Sequence, residues 1–152
     1  VNWNGSYTDA TSYAYFYFDT AVPADCKVMD AAVSLTAGGF IKSGTGAESV
    51  HLDLFENTDT AWVTDNTPYG TANVVPAISE NKINTDSPDI PGTDPETFNR
   101  YTYQITPESI SGKTGYGICA LGRELHDGFK IYSEISVRTG EEPVLTITYY
   151  KD

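Results

Sequence analysis

Tyrosine is the residue whose number and spacing in this sequence could do chemistry, since the chain holds 11 tyrosines and 2 tryptophans among 152 residues. Tyr13, Tyr15 and Tyr17 alternate with smaller or purely apolar residues in the segment Ser12–Asp19. Successive side chains of a strand point to opposite faces, so a strand here would place the three rings on one face, about 6.5 to 7 Å apart. Such a row could stack on sugar rings along an extended glycan. The alternative is ordinary packing of the rings against cross-strand neighbours.

Four further aromatic residues could extend a ligand-binding row. These four candidate residues for the ligand-binding row are Tyr101, Tyr103, Trp3 and Tyr69. The second tryptophan, Trp62, lies in a polar stretch and is interpreted as a core residue beneath a loop rather than as a ligand anchor.

Catalytic motifs are missing from the sequence. It contains two histidines, His51 and His126, and no HExxH, GxSxG or CxxC pattern or glycine-rich phosphate loop. Glu134 follows Ser133 and is interpreted as a partner in a structural ion pair. A glycoside hydrolase would need two carboxylates at a set separation, which sequence does not reveal. We therefore expect a non-catalytic protein, with a polysaccharide lyase or glycoside hydrolase as the lesser alternative.

Calcium is the one cofactor that the sequence raises. Asp53, Asp59, Asp65 and Asp152 could supply hard oxygen ligands to a structural ion. No EF-hand loop is present, and acidic loops are commonly just solvated, so the ligands stay unassigned.

The two cysteines, Cys26 and Cys119, are far apart in sequence and lack the close pairing of a zinc site. Either a disulfide between two strands or two buried thiols fits this spacing, and two cysteines alone do not fix the redox compartment.

The charge balance limits the partners. With 9 basic and 21 acidic residues, the formal net charge is −12, which disfavours nucleic acid, anionic membrane surfaces and strongly anionic polysaccharides. Simple solubility is the alternative meaning of this charge. No apolar stretch is long enough for membrane insertion, and no signal peptide begins the sequence, so we expect a mature form or an excised module.

The elements that would position these residues are short strands. Alternating apolar and polar residues and frequent turn residues predict about seven to nine of them, without a long helix. The predicted strands are Ser12–Asp19, Val28–Ala37, Val50–Phe55, Tyr101–Ile105, Tyr116–Leu121, Gly128–Glu134 and Val144–Tyr149, with a polar or helical turn at Pro107–Lys113. Within Val28–Ala37 the alternation predicts Met29 on the same side as Ala31, Val33 and Leu35.

These elements predict the fold class all-β, as a two-sheet antiparallel β-sandwich of jelly-roll type in a single domain over 1–152. Residues 71–100 are rich in proline and acidic residues. We interpret them as a long excursion from the sandwich, which could form one wall of a groove.

Five short segments share the order and spacing of motifs in a known family. They are Ala14–Asp19, similar to YLxFD; Ala31–Leu35, similar to AxLxL; Trp62 with Asn66 and Pro68, similar to TWxNxP; Tyr132–Glu134, similar to SxE; and Pro143–Ile147, similar to PxLxV. From Ser12 to Tyr149 the chain thus resembles the DNRLRE, or disaggregatase-related, domains. Their architecture is similar to β-jelly-roll carbohydrate-binding modules. Departures are the stretched Trp62 segment, the long 71–100 excursion and the few basic residues that alginate-type binding would use.

The resemblance implies an extracellular or cell-surface location and a non-catalytic module of a larger multi-domain protein that contacts glycans. Together with the tyrosine row, it leads us to expect a monomeric module that binds a neutral or weakly charged polysaccharide. The alternative is a structural or protein-interaction module of a surface assembly, in which the same tyrosines pack beneath the partner sheet or a loop. The identity of the polysaccharide and of the neighbouring domains stays open.

Overall fold

The described residues of the computed structural model, 2–8, 11–41, 49–60, 63, 77–93, 97–124, 131–136 and 138–152, form ten strands and one short helix. In chain order these are β1 (Asn2–Thr8), β2 (Thr11–Asp19), β3 (Cys26–Ile41), β4 (Ser49–Asn57), β5 (Ile78–Lys82), β6 (Ile90–Thr93), β7 (Thr97–Ile105), α1 (Pro107–Ile110), β8 (Gly115–Glu124), β9 (Ile131–Ile135) and β10 (Val144–Lys151). Over these ranges, no helix has the length and apolar character needed to cross a membrane.

The strands form two sheets that pack face to face. Sheet A has the order β1-β2-β8-β4, with β5 and β6 on the far side of β4. Sheet B has β3 at its centre, with β7 on one side and β10 on the other. Ala37 and Gly38 pair with both β7 and β9, so β9 continues the β10 side of β3. The prediction of an all-β antiparallel sandwich is confirmed.

One strand joins the two sheets along an edge. In β6, Ile90 pairs antiparallel with Val50 of β4, and two residues later Gly92 pairs parallel with Gly39 of β3. The edge formed by β4 and β7 is therefore closed. The opposite edge, where β1 and β2 of sheet A face β10 of sheet B, has no such bridge among the described strands.

The main core lies between the inner faces of the sheets. Burial alternates regularly along β3, where every second residue from Ala31 to Ala37 is fully buried. These residues face a matching apolar row from sheet A across the roughly 10 Å spacing of packed sheets. The buried members of this core include Phe16, Phe18, Val33, Leu35, Leu52, Leu54, Ile90, Tyr103, Ile105, Ile110, Tyr116 and Ile118.

The predicted position of Met29 on the core side of β3 is wrong, because Met29 is 61% exposed. The register explains this: Thr148 of β10 pairs with Asp30, whereas the next residue, Tyr149, pairs with Val28. Met29 is thus the extra residue of a β-bulge, which shifts the alternation by one. Val28 takes the inner position and packs against the core.

The described part of the 71–100 stretch contains β5, β6 and the start of β7 rather than an irregular loop. Buried Asn84 anchors it: its side-chain oxygen accepts a hydrogen bond from the Leu54 amide (2.9 Å), and its side-chain nitrogen donates to the Asp86 carbonyl (2.5 Å) and Ser87 Oγ (2.7 Å). Asp86 Oδ1 in turn accepts from the Gln104 amide at 2.7 Å. The segment therefore ties β4 to β7 and closes one side of the sandwich.

The two cysteines are free thiols. Cys119 lies on the outer face of sheet A, whereas Cys26 begins β3 of sheet B opposite Lys151. Because the whole sandwich separates them, a disulfide between them is incompatible with this fold. The sequence left open either a disulfide or two thiols, and the structure contains two thiols.

Candidate functional site

The outer face of sheet A, which carries the tyrosine row of β2, forms a second apolar layer. Tyr15 is only 1% exposed and packs with Phe55, Cys119 and Leu121. Burial raises the pKa of the Cys119 thiol to about 12, and the neighbouring Tyr15 side chain acts in the opposite direction. Half-buried Val63 packs over the same cluster. A ring this deeply buried offers no face on which a sugar could stack.

The neighbouring tyrosines of the row differ from Tyr15. Tyr17 is half-buried and lies across β8. A Cβ atom at Gly115 would lie 1.8 Å from the Tyr17 hydroxyl oxygen, which is too close for any side chain there. The glycine therefore makes room for the ring. Tyr13 is paired with Leu121 in the ladder, but its side chain lies outside the described part of the structure.

The two tyrosines of β7 lie on the inner face of sheet B. Tyr103 is 0% exposed, and its hydroxyl donates to the Pro88 carbonyl at 3.2 Å. Burial, and to a lesser extent the nearby Tyr101, raises the Tyr103 pKa well above its ordinary value. Tyr101 is paired with Leu35 and packs, partly buried, against the core. Tyr103 is thus a core residue, and its ring is inaccessible to a ligand.

The remaining candidates lie outside what the structure describes. Trp3 pairs with Phe16 in the β1–β2 ladder, but its side chain is not among the described ones. Tyr69 and Trp62 belong wholly to the segments that the structure does not describe. The same holds for His126, whereas His51 and Glu134 are described as backbone positions of β4 and β9.

Two of the four carboxylates that the sequence raised as calcium ligands, Asp53 and Asp152, lie near lysines at separate places in the fold. Asp53 of β4 lies 3.7 Å from the Lys82 ammonium, and Asp152, at the other sheet, forms an ion pair with Lys27. Across the described residues, no group of three or more His, Cys, Asp or Glu side chains could hold a metal ion. Asp59 follows β4 and is exposed. Asp65 lies outside the described residues.

The outer face of sheet B is a polar surface that none of the described residues outside the sheet covers between Ala32 and Ser34. Its central strand presents small side chains there, Ala32 and Ser34, whereas the flanking strands present longer ones. Ala32 lies between Thr146 of β10 and Gln104 of β7. Ser34 likewise lies between Val144 and Thr102 in the register. The result is a shallow trough along β3, which we call the hydroxyl trough and define by Ala32, Ser34, Thr102, Gln104, Val144 and Thr146.

The trough is lined by hydrogen-bonding groups at the surface. Ser34 Oγ and Thr102 Oγ1 are hydrogen-bonded at 2.9 Å, which orients both hydroxyls. The side chains of Thr102, Gln104 and Thr146 are exposed. Residues on one face of a strand repeat at about 6.5 to 7 Å and neighbouring strands at about 4.8 Å, so these groups form a grid of donors and acceptors.

The ends of the hydroxyl trough differ in chemistry. At one end Tyr150, 46% exposed, and the bulge residue Met29 present apolar surface. At the other end Arg100 donates hydrogen bonds to Thr36 Oγ1 (3.0 Å) and to the carbonyl oxygens of Glu141 and Glu142 (3.2 and 3.0 Å). Arg100 thereby fixes the turn before β10 against the sheet, and the trough has an aromatic end and a rigid polar end.

Sequence reasoning identified the strands of this face but not the face itself. Two sequence patterns could have indicated the face. The alternation in Val144–Tyr149 places Thr146 and Thr148 on one side of a strand, and a matching alternation places Thr102 and Gln104 on one side of another. Neither pattern stands out alone, because polar residues alternate on the solvent side of most half-buried strands.

Comparison with known proteins adds no family assignment. No protein-family model matches the chain, and no curated protein matches it significantly. The resemblance to DNRLRE domains therefore rests on the five segments alone.

Proposed function

We propose that this chain is a non-catalytic module that binds a neutral or weakly charged polysaccharide in the hydroxyl trough. The observation that carries the proposal is the exposed set of hydroxyl and amide groups on three adjacent strands, with an exposed aromatic ring at one end. The DNRLRE-like motifs support a secreted or cell-surface location and attachment to a larger protein. The ligand surface differs from the tyrosine row of β2, because Tyr15 is buried.

The chemistry of sugars matches this surface. A sugar ring has apolar C–H faces and a rim of hydroxyls, so it needs an apolar contact bordered by donors and acceptors. Tyr150 and Met29 supply an apolar contact for one ring of the polymer, while Ser34, Thr102 and Gln104, farther along the trough, supply polar partners for other rings. The net charge of −12 disfavours polyanionic glycans, which leaves neutral or weakly charged polymers as ligands.

A structural or protein-interaction module is the second candidate function. The burial of Tyr15 and Tyr103 favours it, since packed tyrosines are what that alternative predicts. The two candidates differ in one respect that can be measured: only the first requires retention by a polysaccharide.

Native affinity electrophoresis tests the proposal. The chain is run through gels that contain plant, algal or microbial polysaccharides, beside the variants Ala32→Lys and Ala24→Lys. Ala32→Lys places a long side chain on the trough floor, whereas Ala24→Lys makes the same chemical change in the exposed turn before β3.

We expect retardation by at least one neutral polymer, abolished by Ala32→Lys and retained by Ala24→Lys. Retardation that both variants keep would place the binding surface elsewhere. Failure of every polymer to retard the wild-type chain would favour the interaction module.

A further inference from the structure

One edge of strand β10 is unpaired among the described residues. The strand pairs along its length with β3, and none of the described residues pairs with its other side. A strand of 8 residues presents a row of main-chain N–H and C=O groups about 27 Å long. Water can solvate such a row, but the row is also a template for a further strand.

Most of β10 lacks the features that usually protect an edge, which lie only at its two ends, Pro143 just before it and Lys151 as its last residue. From Val144 to Tyr150 it has no charged residue and no proline, and it consists of β-branched, aromatic and leucine residues. The bulge at Thr148/Tyr149 leaves its extra residue on β3, so β10 itself keeps a regular alternation. Segments of this kind associate through their edges unless something covers them.

A cleft of about 220 Å³ lies directly beside this edge. It opens between the two sheets and is lined by the inner-face residues Leu145, Ile147 and Tyr149 of β10 and by Phe18, together with Asp19, Thr20, Ala21 and Val22. Tyr149 is 45% exposed, although its position in the register is an inner one. The β1–β2 ladder extends only to Tyr17, so described β1 does not cover this end of β2.

We propose that the β10 edge and this cleft form a docking site for an extended segment of another polypeptide, added as a strand next to β10. The unpaired main-chain row would hydrogen-bond to the segment, and its alternate apolar side chains would enter the cleft beside Leu145, Ile147 and Tyr149. A strand meets both requirements, since it presents main-chain groups sideways and side chains at every second residue on one face.

Charge determines which polypeptide fits. The cleft carries the carboxylate of Asp19 and no basic residue, and the chain has a net charge of −12. A second copy would bring the same negative charge to the edge, which opposes pairing. The occupant that matches the net charge is a segment that is basic overall, in which lysine or arginine alternates with the apolar residues that enter the cleft. This inference is independent of glycan binding in the hydroxyl trough, which lies on the other face of sheet B.

The test uses a fluorescently labelled peptide of alternating lysine and valine residues, measured by anisotropy at physiological salt. The control peptide has the same sequence with N-methylated amides along one edge, which keeps the charge and side chains but removes main-chain donors. Two protein variants carry the same added charge: Tyr149→Lys in the cleft and Gln104→Lys on β7, which β3 separates from β10. Circular dichroism verifies that both variants fold.

We expect the unmodified peptide to bind and the N-methylated peptide to bind at least about tenfold more weakly. Tyr149→Lys should weaken binding about tenfold or more, and Gln104→Lys by much less, because only the former charge lies next to the docked strand. Equal binding of both peptides, equal losses in both variants, or no binding would overturn the proposal. A concentration-dependent dimer with protected β10 amides would also overturn it, by making a second copy the occupant.

Discussion

Substitution of Tyr15 by alanine tests whether the central tyrosine of β2 is part of a core or of a ligand platform. The side chain is 1% exposed and packs with Phe55, Cys119 and Leu121. Removal of a buried aromatic ring costs about 3 to 5 kcal/mol, since the neighbours collapse only partly into the cavity. For a domain of this size each kcal/mol lowers the melting temperature by about 2 to 4 °C, so we expect a fall of about 6 to 20 °C.

The matched control for this experiment is Tyr150→Ala. Tyr150 is 46% exposed, so the same truncation should cost less than about 1 kcal/mol. Urea and thermal unfolding of the two variants, followed by circular dichroism, give both free energies. If Tyr15→Ala unfolds at the same temperature as Tyr150→Ala, the outer face of sheet A is not a packed layer, and the tyrosine row becomes available as a ligand surface.

Three further predictions concern stability. Gly117→Ala should destabilise the fold by about 1 to 3 kcal/mol, because the new methyl group would lie 2.9 Å from the backbone carbonyl oxygen of Asn57. A melting curve identical to that of the wild-type chain would contradict this contact. Asn84→Ala should cost about 2 to 4 kcal/mol in urea unfolding, because it leaves buried partners without hydrogen bonds, and a loss below 1 kcal/mol would show that the 83–88 segment is held otherwise. Burial raises the pKa values of Tyr116 and Cys119 to about 12 from ordinary values of 10.0 and 9.0. The folded state therefore keeps these protons to higher pH than the unfolded chain. The contribution of these two groups to the free energy of unfolding should be constant below about pH 8 and fall between about pH 9 and 12, and a flat profile over that alkaline range would contradict their burial.

Much of the fold could be predicted from sequence because each sheet has one buried face. The alternation in β3, β4 and β10 marks their inner residues, and six of the seven predicted strands lie within observed ones. The seventh, Gly128–Glu134, overlaps β9 (Ile131–Ile135), and its first three residues lie outside the described ones. The side of Met29 could not be predicted, since a bulge depends on the register with β10, which is a property of two strands. The strands β5 and β6 were missed because segments of 5 and 4 residues are too short to show a clear alternation of apolar and polar residues. Their positions also depend on the buried contacts of Asn84, which the sequence does not reveal.

The candidate site was harder to predict than the fold. Sequence correctly separates Tyr15 and Tyr17 from Phe16 and Phe18, but both faces of β2 are aromatic, and alternation cannot tell which face is covered. In the structure one face enters the main core and the other enters a second layer with Phe55 and Cys119. The hydroxyl trough depends on small residues of β3 lying between longer ones of β7 and β10, which becomes visible only with the register.

The measurement that tests the central claim most directly is an NMR titration of the isotope-labelled chain with an oligosaccharide cut from the polymer that retards it. The account predicts that the largest amide shift changes cluster at Ala32, Ser34, Thr102, Gln104 and Thr146. Changes that cluster instead around Tyr15 and Tyr17 on β2, or no changes at all, would contradict glycan binding in the hydroxyl trough.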